Sequence, residues 1–96
     1  MNIGSAIKKI RTEKNISQGD LAETCGISQT SMSQIERGIK RPNPSNMKKI
    51  CTALEVPETI IYLYGLEESD IPAKKKKTFK YLYPSIEEMI KKIISD

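Results

Sequence analysis

Residues 17–42 read SQGDLAETCGISQTSMSQIERGIKRP. Two short helices and a tight joint are written into this run. The Ser17 hydroxyl can accept from the free N–H groups of a helix that starts at Gln18, and Asp20 suits the positive end of that helix. Leu21, Ala22 and Cys25 give it an apolar face, and Gly26 is the residue type that ends a helix in the left-handed conformation. Ser28 repeats the capping signal for a second helix over 29–37, which Gly38 ends. There Met32 and Ile35 point inward, whereas Gln29, Thr30, Ser33, Gln34 and Arg37 point outward. A joint as short as Gly26-Ile27-Ser28 makes the two helices cross steeply. Ala22 is small enough for the crossing point, and Ile27 plugs the corner.

The same signals organise the flanks. Upstream, Ile3, Ile7 and Ile10 form one stripe of a helix over 3–14, stopped at Asn15, and Gly4 is read as too near the start to matter. Downstream, the basic loop Ile39-Lys40-Arg41-Pro42-Asn43-Pro44 leads to Ser45, read as the cap of a helix over about 46–55. Met47, Ile50, Cys51 and Leu54 are its buried stripe. Pro57 opens a short helix over 58–64, closed by Gly65. Residues 1–65 thus predict a five-helix domain. Residues 66–78, LEESDIPAKKKKT, read as a linker. The remainder, 79–96, reads as a C-terminal extension. FKYLY at 79–83 alternates like a short strand. Pro84 and Ser85 then open an amphipathic helix, with Ser85 and Glu88 at capping-box spacing and Ile86, Met89, Ile90, Ile93 and Ile94 as its stripe. The expected class is all-α, with that strand as an optional addition.

Composition narrows the chemistry. Ninety-six residues suit a single domain, with 16 Lys+Arg against 12 Asp+Glu for a net charge of +4. Nine of the cations and six of the anions fall within 1–65, so most of the excess sits on the helical domain. No histidine is present, which excludes Ser-His-Asp and Cys-His catalysis and histidine metal sites. Cys25 and Cys51 cannot complete a four-ligand zinc site, and both lie on apolar stripes as core residues. Neither a glycine-rich phosphate loop nor a paired-carboxylate pocket is legible; Glu67 and Glu68 lie in the linker. An enzyme, a metal and a cofactor are therefore not expected. No apolar run approaches the ~20 residues that span a bilayer, so no membrane role is expected and the chain reads as soluble and cytoplasmic.

The outer face of the second helix points to a partner. Gln29, Thr30, Ser33 and Gln34 are uncharged and rich in hydrogen-bonding groups. Glutamine can bond adenine bidentately, and Ser or Thr can meet a base edge or a phosphate. Residues 3–64 resemble the phage repressor/Cro type of helix-turn-helix, the xenobiotic response element family. The resemblance is carried by Ile7 and Arg11, by the run from Ser17 to Pro42, by Met47–Leu54 and by Val56-Pro57. It implies five packed helices and sequence-specific binding of double-stranded operator DNA as a homodimer. It also implies a transcriptional regulator of repressor type, bacterial or phage-encoded, held at the nucleoid when bound. Residue by residue, it assigns Gln29, Thr30, Ser33 and Gln34 to base edges. Gln18, Ser28, Arg37, Lys40 and Arg41 go to phosphates, and Arg11 and Glu36 to a structural pair between the first helix and the recognition helix.

Two features stay open at this level. The run Lys74–Lys77 reads as solvated linker, and its alternative is non-specific DNA affinity through counterion release. The last helix is too short to stand alone and must dock on something. It can pack on its own domain or meet a second chain, and the long linker before it favours the second chain. The tail over 79–96 also suits a different class of function, in which an antitoxin-like or anti-repressor-binding module captures a partner protein.

Overall fold

A computed structural model describes residues 1–95, and all regular structure among them is helical. Six α-helices follow in order: α1 (Ile3–Glu13), α2 (Gln18–Cys25), α3 (Gln29–Glu36), α4 (Pro44–Leu54), α5 (Glu58–Tyr64) and α6 (Lys76–Ile94). Two 3-10 turns, Glu68–Asp70 and Ala73–Lys75, lie between α5 and α6. No helix among the described residues is long and apolar enough to cross a membrane.

Side-chain caps fix where the helices begin. The Asn2, Ser17, Ser28 and Asn43 side chains accept from the backbone N–H groups of Ser5, Asp20, Ser31 and Asn46. The cap of α4 is thus Asn43, two residues before the expected Ser45, and the helix starts at Pro44. Proline at the first helical position lacks only an N–H that would be unpaired anyway, and its fixed φ suits the helix.

The core is one cluster. Ile7, Ile10, Leu21, Met32, Ile35, Ile50, Leu54 and Ile61 are closed off from water, as the apolar stripes require. Cys25 is buried among them and Cys51 is half-buried, and desolvation raises both thiol pKa values above their ordinary range. Such thiols carry little thiolate and are poor nucleophiles. Gly4 corrects the reading that dismissed it. It is buried, and a Cβ placed there would stand 2.1 Å from the Ile35 carbonyl oxygen. α1 therefore reaches the end of α3 at a distance that only glycine allows.

The tail departs most from expectation. Residues 79–83 are not a strand, and no helix begins at Ser85. α6 runs unbroken from Lys76 to Ile94 through Pro84. Two interactions outweigh the proline. The Phe79 and Tyr83 rings stack at 4.7 Å, an i,i+4 contact that a helix makes and a strand does not. Ile90 and Ile94 are buried in the same core as α1–α5. Pro84 and Lys80, whose carbonyl Pro84 cannot serve, are both exposed. The Tyr83 hydroxyl donates to the Leu63 carbonyl at 2.8 Å, and Lys9 reaches Glu87 at 3.9 Å. One ridge of α6 thus docks on its own domain. The other ridge, with Leu82, Met89 and Ile93, stays exposed.

Candidate nucleic-acid interface

α2 ends as its glycine dictates. Gly26 takes φ +66°, its N–H donates to the Glu23 carbonyl and the Ile27 N–H to the Ala22 carbonyl. The chain reverses in three residues, and the Ser28 hydroxyl then caps α3. Met32 and Ile35 are buried beneath α3, and Ala22 and Leu21 beneath α2. With its lower side anchored, α3 holds out Gln29 and Thr30 exposed and Ser33 and Gln34 half-buried. Arg37, Lys40 and Arg41 are all exposed at its C-terminal end.

Below this face lies a charged knot. The Arg11 Nε donates to Glu36 Oε2 at 2.7 Å and its second guanidinium nitrogen to Oε1 at 2.9 Å. A third guanidinium N–H donates to the Ile16 carbonyl at 3.0 Å. The Glu36 side chain is 1% accessible, and these donors take the place of the water that its carboxylate has lost. Gln18 belongs to the same knot: its amide nitrogen donates to Glu36 Oε1 at 3.1 Å. Part of the hydrogen-bonding capacity assigned to phosphate is thus engaged inside the protein. The backbone N–H groups of Gln18 and Gly19 lie in the first turn of α2, where they have no carbonyl within the helix.

The candidate residues fall into two groups around α3. At its N-terminal end, a Cβ at Gly19 would lie 3.5 Å from the Gln29 amide oxygen, so Gln29 reaches across the start of α2 beside Gln18. The Ser28 hydroxyl accepts from the Ser31 N–H and retains its own proton for an outside acceptor. At the C-terminal end, Gly38 at φ +76° turns the chain, and the Ile39 and Lys40 N–H groups both donate to the Gln34 carbonyl. The loop that carries Lys40 and Arg41 is therefore pinned to the recognition helix.

Two residues here were not singled out from sequence. Ser31 accepts from the Lys40 ammonium at 2.9 Å, which draws that charge against α3. Ile39 lies bare between the cations, 65% exposed. Neither has a local signature, because the first depends on a nine-residue return of the chain and the second is apolar where a loop is expected to be polar.

The arrangement can do one thing well. It can present a neutral, hydrogen-bonding ridge between two phosphate-binding edges, with positive charge at one and free N–H groups at the other.

Comparison with known proteins places this geometry. A family model described as helix-turn-helix matches residues 7–61, which spans α1 to α5. An HTH-type transcriptional regulator of Mycobacterium tuberculosis, itself uncharacterised, is 36% identical over 60 residues, 62% of this chain and 43% of its own length. The HTH-type transcriptional repressor RghR of Bacillus subtilis is 32% identical over 69 residues, 70% of this chain and 51% of that one. The HTH-type transcriptional activator BcrR of Enterococcus faecalis is 29% identical over 93 residues, 93% of this chain and 46% of that one. This chain thus spans about half the length of the relatives it matches. On the model match and on the order of its five helices, the chain belongs to the helix-turn-helix family of Cro/cI type.

Proposed function

We propose that this chain is a sequence-specific DNA-binding regulator of transcription that reads the major groove with α3. The observation that carries the proposal is the outer face of that helix. Gln29, Thr30, Ser33 and Gln34 stand on a ridge whose underside is locked by Met32, Ile35 and the Arg11–Glu36 pair. Arg37, Lys40 and Arg41 supply phosphate contacts beside it, with Ser28 and the start of α2 at the other end. The relatives named as repressor and activator support regulation of transcription and leave both signs of control represented. Repression is the simpler sign of control in this reading, because a domain bound over a promoter blocks it merely by occupying it.

The regulator acts as a homodimer in this reading. The exposed ridge of α6, with Leu82, Met89 and Ile93, is apolar and runs at helical spacing. Paired with its copy, it would set two α3 helices about one turn of DNA apart, ~34 Å. The same ridge is what a partner protein would grip in an antitoxin-like module.

Random-oligonucleotide selection with the full chain tests the reading in one step. A palindromic consensus is expected. Gln29→Ala combined with Gln34→Ala should flatten the consensus, since each lost bidentate contact is worth about 1–3 kcal/mol of discrimination. Salt-dependent binding to unrelated DNA should persist, because it rests on the cations. A consensus that the double variant reproduces unchanged would sink the assignment of α3 as reader.

A further inference from the structure

Lys74–Lys77 are four consecutive lysines, and they are built into regular structure. Lys74 and Lys75 close the second 3-10 turn, and Lys76 and Lys77 open α6. The Lys75 N–H donates to the Pro72 carbonyl at 2.8 Å, which pins the middle of the run. Lys74, Lys75 and Lys77 are exposed and Lys76 is half-buried. Among the described residues none of the four forms an ion pair, and Glu68 is engaged by Lys80 at 3.4 Å.

For folding alone this is the wrong place for them. The first turn of a helix is its positive end, and α6 has there neither an acidic residue nor a side-chain cap. Cations at that end are unfavourable, and cations beside one another repel. The run works against the helix that it starts, so its use lies outside the chain.

Its position selects the partner. Lys40 and Arg41 line a hollow together with Asn2 and Gly4. The Asn2 N–H donates to the Gly65 carbonyl at 2.7 Å, just past the end of α5. Against the same end of α5, the Tyr83 hydroxyl bonds the Leu63 carbonyl and so holds α6. Lys76 stands about two turns before Tyr83. The lysine run thus lies toward the end of the domain that carries the basic loop. A duplex bears one phosphate charge per ~1.7 Å of its axis, so a rod that meets Arg37, Lys40 and Arg41 continues past them as a polyanion. A second copy of the run would instead gather like charges with nothing between them. Resting on the DNA reading above, we propose that Lys74–Lys77 form a second phosphate-binding surface for duplex DNA, separate from the two edges of α3. Lysines act there as point charges, so the surface adds affinity and no sequence preference.

The test measures the affinity of the full chain for its selected operator over a range of salt. Each phosphate neutralised adds about 0.9 to the slope of log affinity against log salt. Lys74→Gln, Lys75→Gln, Lys76→Gln and Lys77→Gln combined should make the slope shallower by about 2 or more for a dimer, at one contact or more per run, with the consensus unchanged. The same four positions changed to arginine should keep the parent slope. Lys91→Gln with Lys92→Gln, at the far end of α6, should leave it unaltered. Without DNA, the fourfold glutamine variant should melt no lower than the parent, because the charges it lacks opposed α6. The proposal falls if that variant keeps the parent slope, as a solvated linker would. If it also loses binding to vesicles of anionic phospholipid, the run belongs to a lipid surface instead. The proposal falls too if the Lys91 and Lys92 variant flattens the slope as much, an effect of net charge alone, or if the fourfold variant melts clearly lower, which would make the run structural. A chain that binds no duplex at any salt overturns the DNA reading and this inference together, whereas a clear consensus with an unchanged slope overturns the inference alone.

Discussion

Glu36 shows at the scale of one residue how the reading face is held. Its carboxylate has exchanged water for two bonds from Arg11 and one from Gln18. Such a pair gains little over an apolar pair of equal shape, but removing one partner strands the other. Glu36→Ala leaves a guanidinium that is only 12% accessible without its counter-ion. The expected loss is about 3–5 kcal/mol, read as a lower urea midpoint, with α3 and its readers displaced. Arg11→Met with Glu36→Leu should recover most of that stability. By contrast, Lys9 and Glu87 form a pair that is wide and partly wetted, and replacing either should move stability by less than about 1 kcal/mol. If Glu36→Ala unfolded at the same urea concentration as the parent, the knot would carry no weight. Family resemblance pointed to the Arg11–Glu36 pair. The inclusion of Gln18 was not legible, because whether a glutamine at the start of a helix turns outward or inward depends on what the next helix buries.

At the scale of the element, α6 separates what periodicity can reveal from what it cannot. Its isoleucine stripe was legible, and so were the five helices before it, since each carries an apolar stripe and a stop, and α2 and α3 carry a serine cap as well. The proline was misleading. Pro84 costs a hydrogen bond and strain wherever it sits inside a helix, so a boundary there was the natural reading. The aromatic stack before it and the buried isoleucines after it lie outside what a local signal reports. Gly4 failed for a similar reason: its importance depends on a carbonyl more than 30 positions away in sequence. The stripe itself divides in two. Ile90 is fully enclosed, whereas Ile93 is 59% exposed. Ile90→Ala should therefore cost about 2–5 kcal/mol in a single cooperative transition, because it opens a cavity in the common core. Ile93→Ala should leave the monomer's stability within about 0.5 kcal/mol. Equal effects, or a separate early transition for Ile90→Ala, would show that α6 is not part of the core.

At the scale of the whole molecule, the proposed reading asks more discrimination than one reading helix comfortably supplies. If Gln29 and Gln34 read bases as proposed, each worth about 1–3 kcal/mol against a wrong base, one α3 would supply a discrimination of about 2–6 kcal/mol. A genome offers about 10⁶–10⁹ competing sites, and known specific binders prefer their site by about 4–10 kcal/mol. Two copies on a two-fold operator double the sum. The α6 ridge is the surface that suits this assembly, since it is apolar and belongs to a helix already anchored to the reading domain by Ile90 and Ile94. Anchoring matters, because a dimer joined through a loose tail would not fix the spacing of its two α3 helices. Replacing Met89 and Ile93 together by glutamate should leave the fold intact, as both side chains are exposed, and should shift the chain to monomer in sedimentation equilibrium. Affinity for a full operator should then fall by at least about tenfold, toward that of a half-site duplex, while half-site affinity stays level. Insertion of five base pairs between half-sites, half a turn of DNA, should penalise the parent protein and not the variant. A parent protein that is monomeric at operator-binding concentrations and indifferent to that insertion would remove α6 from the dimer and leave its ridge to a protein partner.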